Sequence, residues 1–147
     1  MDIKFGNLVE ADERIIVHQV NCCGVMGAGV ARAIRNKWPK VFESYHRTCK
    51  KFEDYELIGK TLPVAVDDKV ILNVFGQRLY EYSGRYTEYP ALRQAFASIA
   101  KRYPNEKIAM PYGIGCGLAS GDWEVVSNII EEIFGDNAVL YKLDKNK

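Results

Sequence analysis

Apolar positions recur along this chain in two alternating periods, and their succession predicts strands that alternate with helices. Residues 3–5 read as a short edge strand. Ile15–Val20, written IIVHQV, is an almost unbroken apolar run and predicts a buried strand with His18 inside it. Residues 27–38 place Val30, Ile34 and Trp38 at helical spacing, and Pro39 stops that helix while starting another. The next stripe is Phe42, Tyr45, Cys49 and Phe52. Thr61–Val66 and Lys69–Phe75 are rich in strand-forming residues and are separated by the turn-like pair Asp67-Asp68. Pro90 suits the first turn of a helix striped by Leu92, Phe96, Ile99 and Tyr103. Ile108–Pro111 reads as a strand, and Asp122 is placed to cap a helix bearing Trp123, Val126, Ile130 and Ile133. Gly135 ends that helix, and residues 138–143 form a last strand. The alternation predicts an α/β fold: a mostly parallel or mixed sheet covered by helices on both faces.

Composition narrows this further. The 147 residues suit one domain, 1–147, with a single sizeable core. The formal net charge of +1 argues against a long electrostatic footprint for duplex nucleic acid and against an anionic membrane surface. No apolar run is long enough to span a bilayer, and the start of the chain lacks the form of a signal peptide. Cys22, Cys23, Cys49 and Cys116 show no metal or disulfide spacing, so reduced thiols in a cytoplasmic protein are expected, with no metal site. A monomer without a cofactor is expected as well.

Glycine is concentrated in two places, each between a predicted strand and a predicted helix. One is VHQVNCCGVMGAGVARAI, from Val17; the other is MPYGIGCGLASGDW, from Met110. Ligands of open α/β sheets collect beyond the carboxyl ends of strands. Glycine there lets main-chain N–H groups approach an anion, and the following helix adds the positive end of its dipole. Two such loops fit the two phosphates of one diphosphate. The alternative for either loop alone is a tight turn that needs glycine only for its geometry. Neither loop is a Walker A motif, and no dinucleotide fingerprint is matched.

These two stretches, in this order, resemble the paired phosphate loops of the macro domain, an ADP-ribose-binding module, and KFGNL at residues 4–8 resembles that family's first strand and Gly-Asp turn. The similarity runs over nearly the whole chain. It is strongest to the branch that holds the ADP-ribose 1''-phosphate phosphatase and the terminal ADP-ribose protein glycohydrolase. The resemblance implies a three-layer α/β/α sandwich with a mixed, mostly parallel sheet.

It also implies site residues. Asn7 stands where the family has the acid that accepts from the adenine amino group, with Leu8 beside it. The alternative for Asn7 is a simple turn. Asn21 matches an asparagine that contacts the distal ribose. Gly24, Gly27, Ala28, Gly29 and Val30 would form the first loop, and Gly113, Ile114, Gly115, Cys116 and Gly117 the second. Tyr112 would line the ribose or else pack in the core. His18 matches a histidine proposed as catalytic in the phosphatase; the alternative is a buried, hydrogen-bonded histidine that holds the loop. The glycohydrolase's lysine and aspartate have no counterpart: no Lys occurs from Val70 to Pro90, and Ala119 stands at the aspartate position. Asp122 is read as a helix cap rather than a catalytic acid. Gln77, Arg78 and Arg85 would reach a terminal phosphate or the ribose, or else belong to a solvated connector. His46 is expected to face solvent. The expected activity is metal-independent hydrolysis of ADP-ribose 1''-phosphate, with His18 as base or nucleophile. The alternatives are removal of ADP-ribose from modified macromolecules, and a reader that binds ADP-ribose without turnover.

Overall fold

β-Branched and aliphatic runs lie at the centre of the fold, where both faces of a sheet are covered. A computed structural model describes residues 1–80 and 86–143. In chain order the elements are β1 (Asp2–Phe5), β2 (Ile15–Val20), α1 (Gly29–Lys37), α2 (Pro39–Lys51) and the short α3 (Asp54–Leu57). There follow β3 (Thr61–Val66), β4 (Lys69–Phe75), α4 (Tyr89–Arg102), β5 (Ile108–Pro111), α5 (Trp123–Phe134) and β6 (Ala138–Lys142). Among the described residues the sheet has six strands in the order β1-β6-β5-β2-β4-β3. Neighbours are parallel except β3, which pairs antiparallel with β4 through a tight hairpin at Asp67-Asp68.

Alternate side chains of the central strands feed two cores. Ile16, Val20, Ile71 and Phe75 pack under α1 and α2, against Ile34, Val41 and Tyr45. Ile15, Val17, Leu72 and Met110 pack on the opposite face against Phe96 of α4 and Val126 and Ile130 of α5. The molecule is therefore the expected three-layer α/β/α sandwich with a mixed, mostly parallel sheet.

One helical stripe is corrected. Phe52 does not continue the α2 stripe: it is the cap residue with extended backbone (φ −120°, ψ 151°), so its ring is exposed. Val41, one position before Phe42, is fully buried instead. Helix α3 was not predicted from periodicity because it is a single turn, held by reciprocal capping between Glu53 and Glu56.

Candidate functional site

The sheet itself opens the site. The β2–β4 ladder runs through six residue pairs, from Ile15↔Val70 to Val20↔Phe75. On its other side β2 pairs with β5 only at Ile15↔Ile108 and Ile16↔Ala109. Beyond those pairs the two strands part. The chain leaving β2 turns to α1 on one face, and the chain leaving β5 turns to α5 on the other. A crevice at such a divergence is where open α/β sheets bind ligands. Here it is a cleft of about 680 Å³, within the range of small-molecule pockets.

The first loop is shaped by Asn21. Its Oδ1 accepts from the Cys23 N–H at 2.9 Å and from the Tyr45 hydroxyl at 2.6 Å, and its Nδ2 donates to the Val25 carbonyl at 2.9 Å. Tyr45 is fully buried, so it anchors this loop to the core. Gly24 sits at φ +81°, and a Cβ there would lie 3.0 Å from His46 Nδ1. That nitrogen lies 3.1 Å from the Gly24 carbonyl, which makes it the donor, and the imidazole stacks on Phe42 with centroids 5.2 Å apart. His46 is thus half-buried against the loop, not solvent-facing. The first i→i−4 bond of α1 is Arg32 N–H to the Ala28 carbonyl, and Ala28 offers no side-chain cap. The N–H groups of Gly29, Val30 and Ala31 are therefore the orphan donors of the helix, and their residues line the cleft.

The second loop is a run of turns after β5. Ile114 N–H donates to Pro111, Cys116 N–H to Gly113, and Gly121 N–H to Gly115, at 3.1, 2.8 and 2.9 Å. Gly113 and Gly115 take φ of +80° and +77°, the alternation that turns successive N–H groups to one side. Among the described residues, the N–H groups of Gly113, Gly115, Gly117, Leu118 and Ala119 have no acceptor. Asp122 caps α5, its Oδ1 accepting from the Glu124 N–H at 2.9 Å, as the sequence predicts.

Two polar side chains of β2 sit at the cleft floor, one on each face. Asn73 Nδ2 donates to the Leu62 carbonyl at 2.9 Å, so Asn73 Oδ1 is an acceptor. It lies 2.6 Å from His18 Nε2, which must then carry the proton. His18 Nδ1 is left as a lone-pair acceptor, buried and, among the described residues, without a partner. Burial lowers the pKa of this imidazole to about 4, against the raising effect of Asn73, so the ring is neutral at pH 7. His18 borders the cleft, yet Nδ1 itself is shut off from solvent.

Gln19, the other residue, donates from Nε2 to Gln77 Oε1 at 2.8 Å and to Thr87 Oγ1 at 3.0 Å. Gln77 is oriented in turn by donating to the Leu79 carbonyl at 2.6 Å. The Gln19–Thr87 link was missed from sequence. A glutamine in an apolar strand is a signal that could have found the first; nothing marks Thr87.

The other expected residues divide. Besides the residues placed above, Gly27, Ala28, Tyr112, Ile114 and Gly117 border the cleft; Asn7, Leu8, Gly24 and Cys116 do not. Asn7 makes a turn, its Oδ1 accepting from the Val9 N–H at 3.2 Å, and Leu8 is buried in the α1–α2 core. Tyr112 is exposed beside Trp123, with ring centroids 4.8 Å apart and Lys142 Nζ 4.5 Å from the Tyr112 ring, so it is not a core tyrosine. Arg78 is turned away, paired with Glu88 at 3.0 Å and Asp54 at 3.7 Å. Arg85 lies outside the described residues. Cys22 is buried and Cys23 exposed; desolvation pushes the Cys22 thiol up to about 12, so it is no nucleophile. Among the described residues no helix is long and apolar enough to cross a membrane.

The family model "Macro domain" matches residues 17–130. The chain is 28% identical over 144 residues to the DNA ADP-ribosyl glycohydrolase of Mycobacterium tuberculosis, covering 92% of this chain and 40% of that protein. It is 37% identical over 49 residues to the ADP-ribose 1''-phosphate phosphatase of Aspergillus oryzae, covering 33% of this chain and 24% of that one. Among solved structures it is similar to the macrodomain of Mycobacterium tuberculosis DarG, with a TM-score of 0.78, 27% identity and coverage of 95% and 96% of the two chains. The chain thus spans well under half the length of these two curated relatives.

Proposed function

The chain belongs to the macro domain family, and on that premise we propose that its cleft binds ADP-ribose and that the protein hydrolyses an ADP-ribose derivative. The observation that carries this reading is the convergence of two sets of unpaired main-chain donors on one cleft: residues 29–31 at the start of α1, and Gly113, Gly115, Gly117, Leu118 and Ala119 in the second loop. A diphosphate offers acceptors only, and main-chain N–H groups meet it without immobilising long side chains. The helix dipole of α1 adds favourable charge.

ADP-ribose 1''-phosphate is the substrate of the first reading. Water would bond to phosphorus, the bond to the ribose 1''-oxygen would break, and that oxygen would leave with a proton. His18 is an ionisable group that borders the cleft. As base it needs its covered Nδ1 to be opened, and a phosphate dianion beside it would raise its low pKa toward a useful range. A second reading is release of ADP-ribose from a modified macromolecule. It is supported by the mycobacterial glycohydrolase, which matches over 92% of the chain where the fungal phosphatase matches over 33%.

Calorimetric titration with ADP-ribose tests the binding claim, and no heat at millimolar ligand overturns it. Turnover is then compared on ADP-ribose 1''-phosphate, ADP-ribosylated DNA and ADP-ribosylated protein, with the wild type and His18→Ala. Loss of phosphate release in His18→Ala with binding intact supports the first reading. Release of ADP-ribose from a polymer, unaffected by that substitution, supports the second.

A further inference from the structure

A net charge of +1 conceals a segregation. Residues 29–51, helices α1 and α2, hold seven Lys/Arg and one Glu; the rest of the chain holds thirteen Lys/Arg and eighteen Asp/Glu. All seven cations are exposed. Lys40, Arg47, Lys50 and Lys51 recur at helical spacing, so they share the solvent face of α2. Arg35 bridges the two helices, its guanidinium 3.7 Å from the centroid of the Phe42 ring. Lys37 pairs with Glu10 at 3.3 Å, but among the described residues Arg32, Lys40, Arg47 and Lys50 have no acidic partner.

Helix stability does not account for this. The macrodipole favours cations in the last turn, which covers Arg35, Lys37, Lys50 and Lys51. It disfavours cations near the start, where Arg32 and Lys40 stand, and neither helix has an acidic residue in its first turn. Such an arrangement costs stability unless an anion answers it.

The patch lies beside the cleft, although none of its seven cations lines it. Arg32 follows directly on Ala31, which lines it, and the last turns of α2 abut the first glycine loop through His46 and Gly24. Beyond Lys51 the chain exposes two aromatic rings, Phe52 at 41% and Tyr55 at 70%. Glu53, Asp54 and Glu56 bound the patch there, engaged in the α3 capping box and with Arg78.

We propose that the α1–α2 face is a binding surface for a single-stranded nucleic acid, which seats the polymer while the cleft takes an ADP-ribosyl group attached to it. The inference rests on the second reading of the cleft given above. Cations without partners answer phosphates, and exposed rings beside them give unpaired bases a stacking platform, which favours a single strand over a duplex or an anionic membrane.

The test is fluorescence anisotropy with a labelled, unmodified 15-nucleotide DNA strand at low salt, alongside calorimetry with ADP-ribose. The wild type should bind the strand, with affinity falling steeply as salt rises. The triple variant Lys40→Glu, Arg47→Glu, Lys50→Glu should weaken strand binding more than tenfold and leave ADP-ribose affinity unchanged. If the triple variant fails to fold, Arg47→Gln and Lys50→Gln should each reduce the slope of log affinity against log salt by about 0.7. No strand binding by the wild type, or strand affinity unchanged in these variants, overturns the proposal. So does equal binding to the duplex or to phosphatidylserine vesicles. Loss of ADP-ribose binding in the wild type, with the strand still bound, sinks the reading of the cleft and leaves this surface standing.

Discussion

The Thr87 hydroxyl donates to the Gly115 carbonyl at 2.5 Å while accepting from Gln19 Nε2 at 3.0 Å. Thr87 is buried, and its N–H and that of Tyr86 both reach the Ala119 carbonyl. One side chain thus joins β2, the segment before α4 and the second glycine loop. Thr87→Val removes the hydroxyl from a buried network and should cost roughly 1–3 kcal/mol in denaturant unfolding. ADP-ribose affinity should fall roughly tenfold, the equivalent of about 1.4 kcal/mol, because the loop donors lose their register. Thr87→Ser should restore both. Equal affinity in the valine variant would show that the loop holds its shape without this link.

Gly121 is required by close approach rather than by its backbone angle. A Cβ there would lie 2.6 Å from the Gly115 carbonyl oxygen, a main-chain atom that cannot rotate aside. Gly121→Ala should force the two halves of the loop apart and reduce ADP-ribose binding in calorimetry far more than it lowers the unfolding midpoint.

His18 makes stability depend on acid. Its folded pKa of about 4 lies below the usual value of 6.5, so between those pH values the unfolded chain takes a proton that the folded chain refuses. Stability therefore falls as pH drops through that window, by about 3 kcal/mol in total. Urea unfolding at pH 7 and pH 4 should show this loss in the wild type and a correspondingly flatter profile in His18→Gln. Matching profiles would mean that the imidazole is not buried neutral.

Asp122 separates a cap from a catalyst. Asp122→Ala should cost about 1 kcal/mol of stability through the lost bond to the Glu124 N–H, with turnover per folded molecule unchanged. Abolished turnover in a folded variant would reassign it to the chemistry.

Much of this was legible in the sequence because it depends on short-range periodicity and on residue types with one strong use. Runs such as IIVHQV and the helical stripes around Leu92 and Val126 fixed strands and helices within a residue or two. Pro39, Asp122 and Gly135 marked helix ends, since capping chemistry is local. The glycine clusters marked both loops for the same reason. The tautomer of His18 was not legible, because it follows from a chain of bonds through Asn73 to Leu62, residues far away in sequence. Nor was the inward turn of His46, which needs Gly24 to lie beneath it. Strand order decided the rest. Only when β5 is seated beside β2, and their ladder stops after two pairs, do two loops some ninety residues apart face one cleft. Each loop is a local event; their meeting is a long-range pairing that no window along the chain contains.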